Sequence, residues 1–448
     1  MLLATTYETT ANVRASNYDN PAGNGGIPMV HHHRVTVSSF TLGIILLLCG
    51  MGFVAMAPAQ NFQKVPIILR ASEVLPRELL SGPNYTVKET VKNDGFVNAY
   101  ELDTQYGPLK VESTALLLKR VAELRALSKI EELRGTSVYL EAAKKAALGP
   151  VKTAAGVVTD PVGTATGVVS GVGNFFTKAY DAVTSSDPDK DKALNAVLGQ
   201  AAFKREYAYH FGVDPYTSYE PLQKALNDVA WTSAAGGLTV KAAFMAVPGV
   251  AGTVVGMTGT SDTMRNLVRD KTPPELERIN RASLYDMKVV DPLASAFLSS
   301  TSYNPQEKTF LVGALAGMTG VTDRGIFLQL ATMDCEESVA IFMRVRAQLM
   351  GQYFEKTKNV DRFVTAGGVP VLLTKEGVIA GIFPLDHVAW TVGFAQKEMA
   401  VSSAIEKMSG IKGKELWITG TVDPVAREAL ENRGWKVHEK VTTRLLRS

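Results

Sequence analysis

Cysteine is nearly missing from this chain: 448 residues contain two, Cys49 and Cys335. Cys49 lies inside an apolar run, so processing there would leave Cys335 alone, and a small disulfide-stapled ectodomain is excluded. Charge of one sign is missing too. The 47 basic residues nearly match the 44 acidic ones, for a formal charge of +3, and no basic block or aromatic–basic stripe stands out. Nucleic-acid binding therefore has no support. Common catalytic signatures are also lacking, with no G-x-S-x-G, no H-E-x-x-H, no P-loop and no dinucleotide fingerprint after a strand-like run. His31, His32 and His33 stand side by side in a polar leader and define no geometry, while His210, His387 and His438 are far apart. No metal or other cofactor is expected from such spacing.

Long apolar runs are not missing. Residues 40–59 hold twenty residues without a charge. At about 1.5 Å per residue, a helix of that length just crosses a hydrocarbon core of about 30 Å. Ala55, Ala57 and Ala59 place small residues at alternating positions at its end, as a processing site requires. The segment reads as a signal peptide or as a retained transmembrane anchor, and the small residues favour cleavage. Either way the expectation is an exported protein, periplasmic or extracellular and membrane-associated. Residues 1–39, with Glu8, Arg14, Asp19 and Arg34 scattered among polar residues, read as a disordered leader or extended n-region.

Hydrophobic content of 46% supports real cores beyond that point. Residues 60–112 read as a small β element, with the Asn93-Asp94-Gly95 turn between two alternating runs. From Thr114 the period changes to three and four: Leu117, Val121, Leu124, Leu127 and Ile130 mark one face of an amphipathic helix. Residues 113–180 are assigned to helices and a Gly-rich segment, and 181–361 to a helical region. Proline opens several of its helices, as at Pro221 and Pro273. Residues 362–448 read as an α/β domain. There the runs 370–374 and 378–383 flank a Glu376-Gly377 turn, and 415–419, 424–432 and 435–439 read as strand, helix and strand. The fold class is thus α+β, a mainly helical middle with a small N-terminal β element and a C-terminal α/β domain containing a βαβ unit.

Two stretches are unusually rich in small residues. In 151–176, Gly163, Gly167 and Gly171 recur every four residues, and in 234–259 the only charge is Lys241. Such spacing suits close helix packing in a membrane or against a partner, although Asp160-Pro161 and Pro248 interrupt both. Both are candidate membrane contacts; a flexible connector is the equal alternative for 151–176, and a buried helical hairpin is the favoured reading of 234–259. Trp231, Trp390, Trp417 and Trp435 each sit in an apolar periodic context and read as core residues.

Among groups able to do chemistry, Asp386 and His387 follow the apolar run 378–383, where a loop leaving a sheet often meets a ligand. With Cys335 they form the candidate catalytic set, the thiol as nucleophile and the pair as base and orienting group. Helix capping by the same loop is the competing structural role. The run from Thr419 to Asp423 offers hydroxyls and N–H groups to an anion, or Asp423 as a cap for the next helix. The functional expectation is an exported, envelope-associated protein of interaction or scaffold type. Its partner would be an envelope protein or another copy of itself. An exported hydrolase using C-terminal loop residues and a membrane-inserting or pore-forming protein are the alternatives.

Overall fold

The structure is a computed structural model that describes residues 62–147, 195–247 and 262–442. The signal or anchor segment 40–59, its leader and the Gly-rich stretch 151–176 lie outside these residues.

The described chain is α+β. It opens with a six-stranded antiparallel sheet formed by β1 (Ile67–Arg70), β2 (Ser81–Gly82), β3 (Tyr85–Val87), β4 (Thr90–Asn93), β5 (Asn98–Thr104) and β6 (Leu109–Glu112). Two one-turn helices, α1 (Ala71–Val74) and α2 (Arg77–Leu80), lie between β1 and β2. Strand β5 is the hub, pairing with β3, β4 and β6. The Asn93–Asn98 turn is tied by its own side chains: Asp94 accepts from the Phe96 and Val97 N–H groups, both at 2.8 Å.

Helices follow: α3 (Thr114–Arg134), α4 (Ser137–Ala147), α5 (Asn195–Phe211), α6 (Glu220–Gly236), α7 (Val240–Ala246), α8 (Asp262–Asp270), α9 (Pro273–Asp286), α10 (Asp291–Ser299), α11 (Pro305–Ala316), α12 (Gly325–Ala331) and α13 (Glu337–Thr357). Local chemistry explains their starts. Ser113 caps α3 through the Leu116 N–H, Thr272 and Glu275 form a capping box before Pro273, and Asn304 caps α11 through the Glu307 N–H. The leucine face of α3 is buried against the N-terminal sheet and the neighbouring helices.

A second sheet closes the chain: β7 (Val360–Ala366), β8 (Val369–Thr374), β9 (Val378–Phe383), β11 (Gly413–Ile418) and β13 (Trp435–His438), in the order β13-β11-β9-β8-β7. Helix α14 (Val392–Glu406) joins β9 to β11, and α15 (Pro424–Asn432) joins β11 to β13. Strands β9, β11 and β13 are parallel, while β7 and β8 make the antiparallel hairpin side. A short parallel pair, β10 (His387–Val388) and β12 (Thr421–Val422), sits beyond the strand ends. The cores are two apolar clusters. One gathers the N-terminal sheet with α3–α7, and the other gathers α8–α15 with the C-terminal sheet. Phe96 and Val97, at the tip of the N-terminal hairpin, belong to the second cluster, so that tip is packed into the C-terminal half.

Two expectations need correction. Among the described residues no helix is long and apolar enough to cross a membrane, which overturns the transmembrane helix there. The reason is visible within 234–247, the described part of the second Gly-rich stretch, whose residues 248–259 lie outside the described residues. Helix α6 ends at Gly236, Gly237 adopts a left-handed conformation at φ 71°, and α7 restarts for only seven residues. A Cβ on Gly236 would lie 2.1 Å from the Ala142 carbonyl oxygen, so this glycine serves close packing of α6 on α4 within the chain. The second correction concerns Trp231, which is 53% exposed, whereas Trp390, Trp417 and Trp435 are buried. Trp231 follows the buried pair Val229 and Ala230 and faces away from their core.

Candidate functional site

Because β9 and β11 are parallel, their C-terminal ends emerge on the same edge of the sheet. Pro384 follows β9 at once, and it cannot continue a ladder as a donor. The two exit loops then bind each other. Leu385 O accepts from Gly420 N at 2.8 Å and from Thr419 Oγ1 at 2.9 Å, and Asp386 O accepts from Thr421 N at 3.1 Å. A Cβ on residue 420 would fall 1.7 Å from the Asp386 carbonyl oxygen, so the contact requires glycine.

The Asp386 side chain reaches across to the N-terminal half. Its Oδ2 accepts from the backbone N–H of Asn98 and from that of Thr114, both at 2.9 Å. Thr114 is the first residue of α3, so the carboxylate takes up an N–H that the helix cannot use and meets the positive end of its dipole. The N–H of Asp386 donates in return to Phe96 O at 3.0 Å. Around it runs a buried polar chain: Asn93 Nδ2 donates to Asn98 Oδ1 at 2.8 Å, Asn98 Nδ2 to Tyr100 Oη at 2.9 Å, and Tyr100 Oη lies 2.7 Å from Thr114 Oγ1. Burial pushes the Asp386 carboxyl up to about 6, against the pull of its N–H donors and with help from Asp94. Burial and the nearby Asp386 charge likewise hold the Tyr100 phenol above its usual range.

Beside this clamp lies a cavity of about 170 Å³, bounded by Asn98, Thr114 and Asp386 on one side and by α13 on the other. Helix α13 contributes Arg344, Gln348 and Gln352, spaced by four and therefore on one face. Arg344 Nη1 donates to Gln348 Oε1 at 2.6 Å, and its Nε lies 2.5 Å from Glu307. Gln352 Oε1 is buried and has no hydrogen-bond partner. Leu118 and Leu349 supply apolar wall.

Behind Arg344 the charges continue inward. Glu307 is 3.6 Å from Lys119, which also lies 3.3 Å from Asp214 and 3.0 Å from Glu337. Arg120 pairs with Glu123 at 2.5 Å and with Glu337, and Ser218 Oγ donates to Glu337 at 2.6 Å. This network joins α3, the 212–219 loop, α11 and α13.

The structure gives the three candidate catalytic groups different surroundings. Asp386 lines the cavity. His387 points elsewhere: its Nδ1 lies 2.9 Å from Thr421 Oγ1, and burial lowers the proton affinity of the ring. The Cys335 thiol belongs with Ser302 and Tyr303, and burial pushes it above the ordinary thiol range. The carboxylate is thus engaged by Asn98 and Thr114, the imidazole by Thr421 and the thiol by Ser302 and Tyr303. Of the other histidines, His210 packs on Phe244 at 4.7 Å and His438 stacks on Trp417 at 3.9 Å. Asp423 acts as a cap, accepting from Val425 N at 2.9 Å. Among the described residues no group of three or more His, Cys, Asp or Glu side chains could hold a metal ion. Sequence reasoning passed over Arg344, Gln348 and Gln352. Their recurrence every fourth residue along α13 was the available signal.

No protein-family model matches the chain, and neither does any curated protein or solved structure.

Proposed function

We propose that this is a non-enzymatic binding protein that takes a small polar molecule into the cavity between the N-terminal sheet, α13 and the exit loops of the C-terminal sheet. The observation that carries the reading is the buried Gln352 carbonyl, which lines the cavity and lacks a donor. A buried acceptor left unpaired costs about 1–3 kcal/mol, and a donor-bearing ligand would offset that cost. At about 170 Å³ the cavity is slightly larger than one of about 150 Å³ that admits benzene, which sets the ligand at about six to ten non-hydrogen atoms. With an amide oxygen and a carboxylate in the wall, the ligand class is a polyol or small amino compound. The ligand would touch both halves of the chain, which suits an interaction protein whose surfaces respond to occupancy.

The test is mass spectrometry of small molecules released on denaturing the purified full chain, beside the Ala115→Leu variant, whose larger side chain intrudes on the cavity. A donor-rich molecule of that size, present in the wild type and absent from the variant, is the expected result. If neither protein releases one, and millimolar glycerol, inositol and ethanolamine leave the melting temperature unchanged, the reading is wrong.

A hydrolase is the second reading, favoured by a cavity-lining carboxyl with a proton affinity near neutrality. It predicts turnover of small esters or amides that Asp386→Asn abolishes without weakening ligand binding. Turnover by the variant at the wild-type rate would remove it.

A further inference from the structure

Helices α5 and α8 pack side by side with an arginine cluster between them. Arg205 and Tyr209 are one turn apart on α5, and Arg265 and Arg269 are one turn apart on α8. Both α8 guanidinium groups lie over the Tyr209 ring, with Cζ 5.1 Å and 4.5 Å from its centroid. Two like charges at that helical spacing repel each other. Arg205, only 8% exposed, turns its Nε to the carbonyl of Arg269 at 2.9 Å. No carboxylate among the described residues pairs with it.

The neighbouring acids pair with Arg269 and Arg265 but leave Arg205 without a carboxylate. Asp270 takes Nε and Nη2 of Arg269 at 2.7 Å and 3.1 Å. Asp262 lies 3.7 Å from Arg265 but its side chain is 82% exposed, so solvent screens the pair. Glu206 is near Arg269, and burial raises its proton affinity, which weakens its hold on a charge. The Arg205 charge is left uncompensated.

A third element closes the site. Helix α11 begins at Pro305, and Gln306 in its first turn is 4% exposed with an amide Nε2 that has no hydrogen-bond partner. Asn304 already serves the Glu307 N–H, so Gln306 offers both a side-chain donor and the positive end of the helix. Arg205, Arg265, Arg269 and Gln306 together wall a cavity of about 20 Å³. That is room for about one water-sized atom, so one oxygen of a bound group would enter it and the rest of the group would lie at the mouth of the cleft.

We propose that this cleft between α5, α8 and the start of α11 is an oxyanion site that takes a phosphate group. Guanidinium donors suit a tetrahedral anion, and the unpaired Gln306 amide would supply a further hydrogen bond. The group enters as inorganic phosphate or as the terminal phosphate of a small ester. The site shares no lining residue with the Asp386 cavity and does not depend on the ligand proposed there.

Isothermal titration of the full chain with inorganic phosphate, and separately with glycerol 3-phosphate, tests this against sodium chloride of matched ionic strength. Saturable binding of either probe is expected, weakened about tenfold or more in Arg205→Gln. Preference for the ester assigns the site to a phosphorylated molecule, and preference for phosphate assigns it to the free ion. Gln306→Glu supplies an independent reading. It places a carboxylate where the anion would sit, so it should abolish binding and raise the melting temperature of the phosphate-free protein. Heat release no greater than that of sodium chloride with both probes, or a Gln306→Glu variant that melts lower than wild type and binds phosphate unchanged, overturns the proposal.

Discussion

Arg346 donates from Nε to the carbonyl of Ile382 at 3.0 Å and from Nη2 to the Pro370 carbonyl. One side chain of α13 therefore ties the helix to both β8 and β9. Arg346 is 1% exposed, and its guanidinium lies 4.1 Å from the centre of the Phe383 ring with no carboxylate partner among the described residues. Burial without a counter-charge lowers its proton affinity.

The Arg346 geometry ranks two substitutions in an order that charge conservation alone would reverse. Arg346→Met removes the charge and leaves two carbonyls without a donor, at about 1–3 kcal/mol. Arg346→Lys keeps a buried charge but lacks the planar fork that serves two carbonyls, so it should lose about 3–5 kcal/mol. Urea unfolding of the three proteins decides it. A lysine variant as stable as the methionine one would mean that the fork does not matter.

Lys119 is the centre of the other buried charge group. Burial works against its ammonium, but Asp214 and Glu307 outweigh that and hold its proton affinity above that of an ordinary lysine. Lys119→Met should destabilise the chain by about 3–5 kcal/mol, because three carboxylates would lose their shared cation. Adding Asp214→Asn should recover part of the loss. Additive losses in the double variant would show that the two residues do not act as a pair.

Much of this arrangement is legible in the sequence where it is local. Pro424 and Gly434 bracket α15 between two alternating apolar runs, and those strands do pair in parallel. The Asn93–Asn98 turn and the leucine face of α3 are readable for the same reason. Asp386 is legible as a residue at a strand exit, yet its role as a clamp is not. Its two N–H donors lie 288 and 272 residues away along the chain, and no periodicity encodes such a meeting. The Cys335 and His387 assignment shows the converse. Residue type suggested a shared site, while His387 lies against Thr421 and Cys335 lies beside Ser302 and Tyr303. Trp231 misled because the apolar residues beside it are buried although the indole is not.

Cys335 should behave as an inert thiol. Burial raises its proton affinity, with hydrogen bonds from Ser302 and Tyr303 pulling the other way. Iodoacetamide labelling at pH 8, mapped by peptide mass spectrometry, is therefore expected to proceed more slowly at Cys335 than on free cysteine. Labelling at or above the free rate would restore Cys335 as a candidate nucleophile.

The final prediction concerns pH and separates a clamp from a bystander. The folded Asp386 carboxyl titrates at about 6, above the roughly 3.9 of an unfolded aspartate. Between those values the folded chain holds the extra proton, so this group stabilises the fold below about pH 4. That contribution is lost as pH rises through about 6. Its size is on the order of 2–3 kcal/mol. Asp386→Asn keeps an oxygen for Asn98 and Thr114 but cannot titrate. The stability of the variant relative to wild type should therefore rise by that amount between pH 4 and pH 7, whatever the other carboxyls do, because they are common to both proteins. Urea midpoints at pH 4, 5, 6 and 7 give the difference directly. Parallel curves would mean that Asp386 ionises like a solvated carboxyl, and the cavity beside it would then be wet and open rather than a closed binding site.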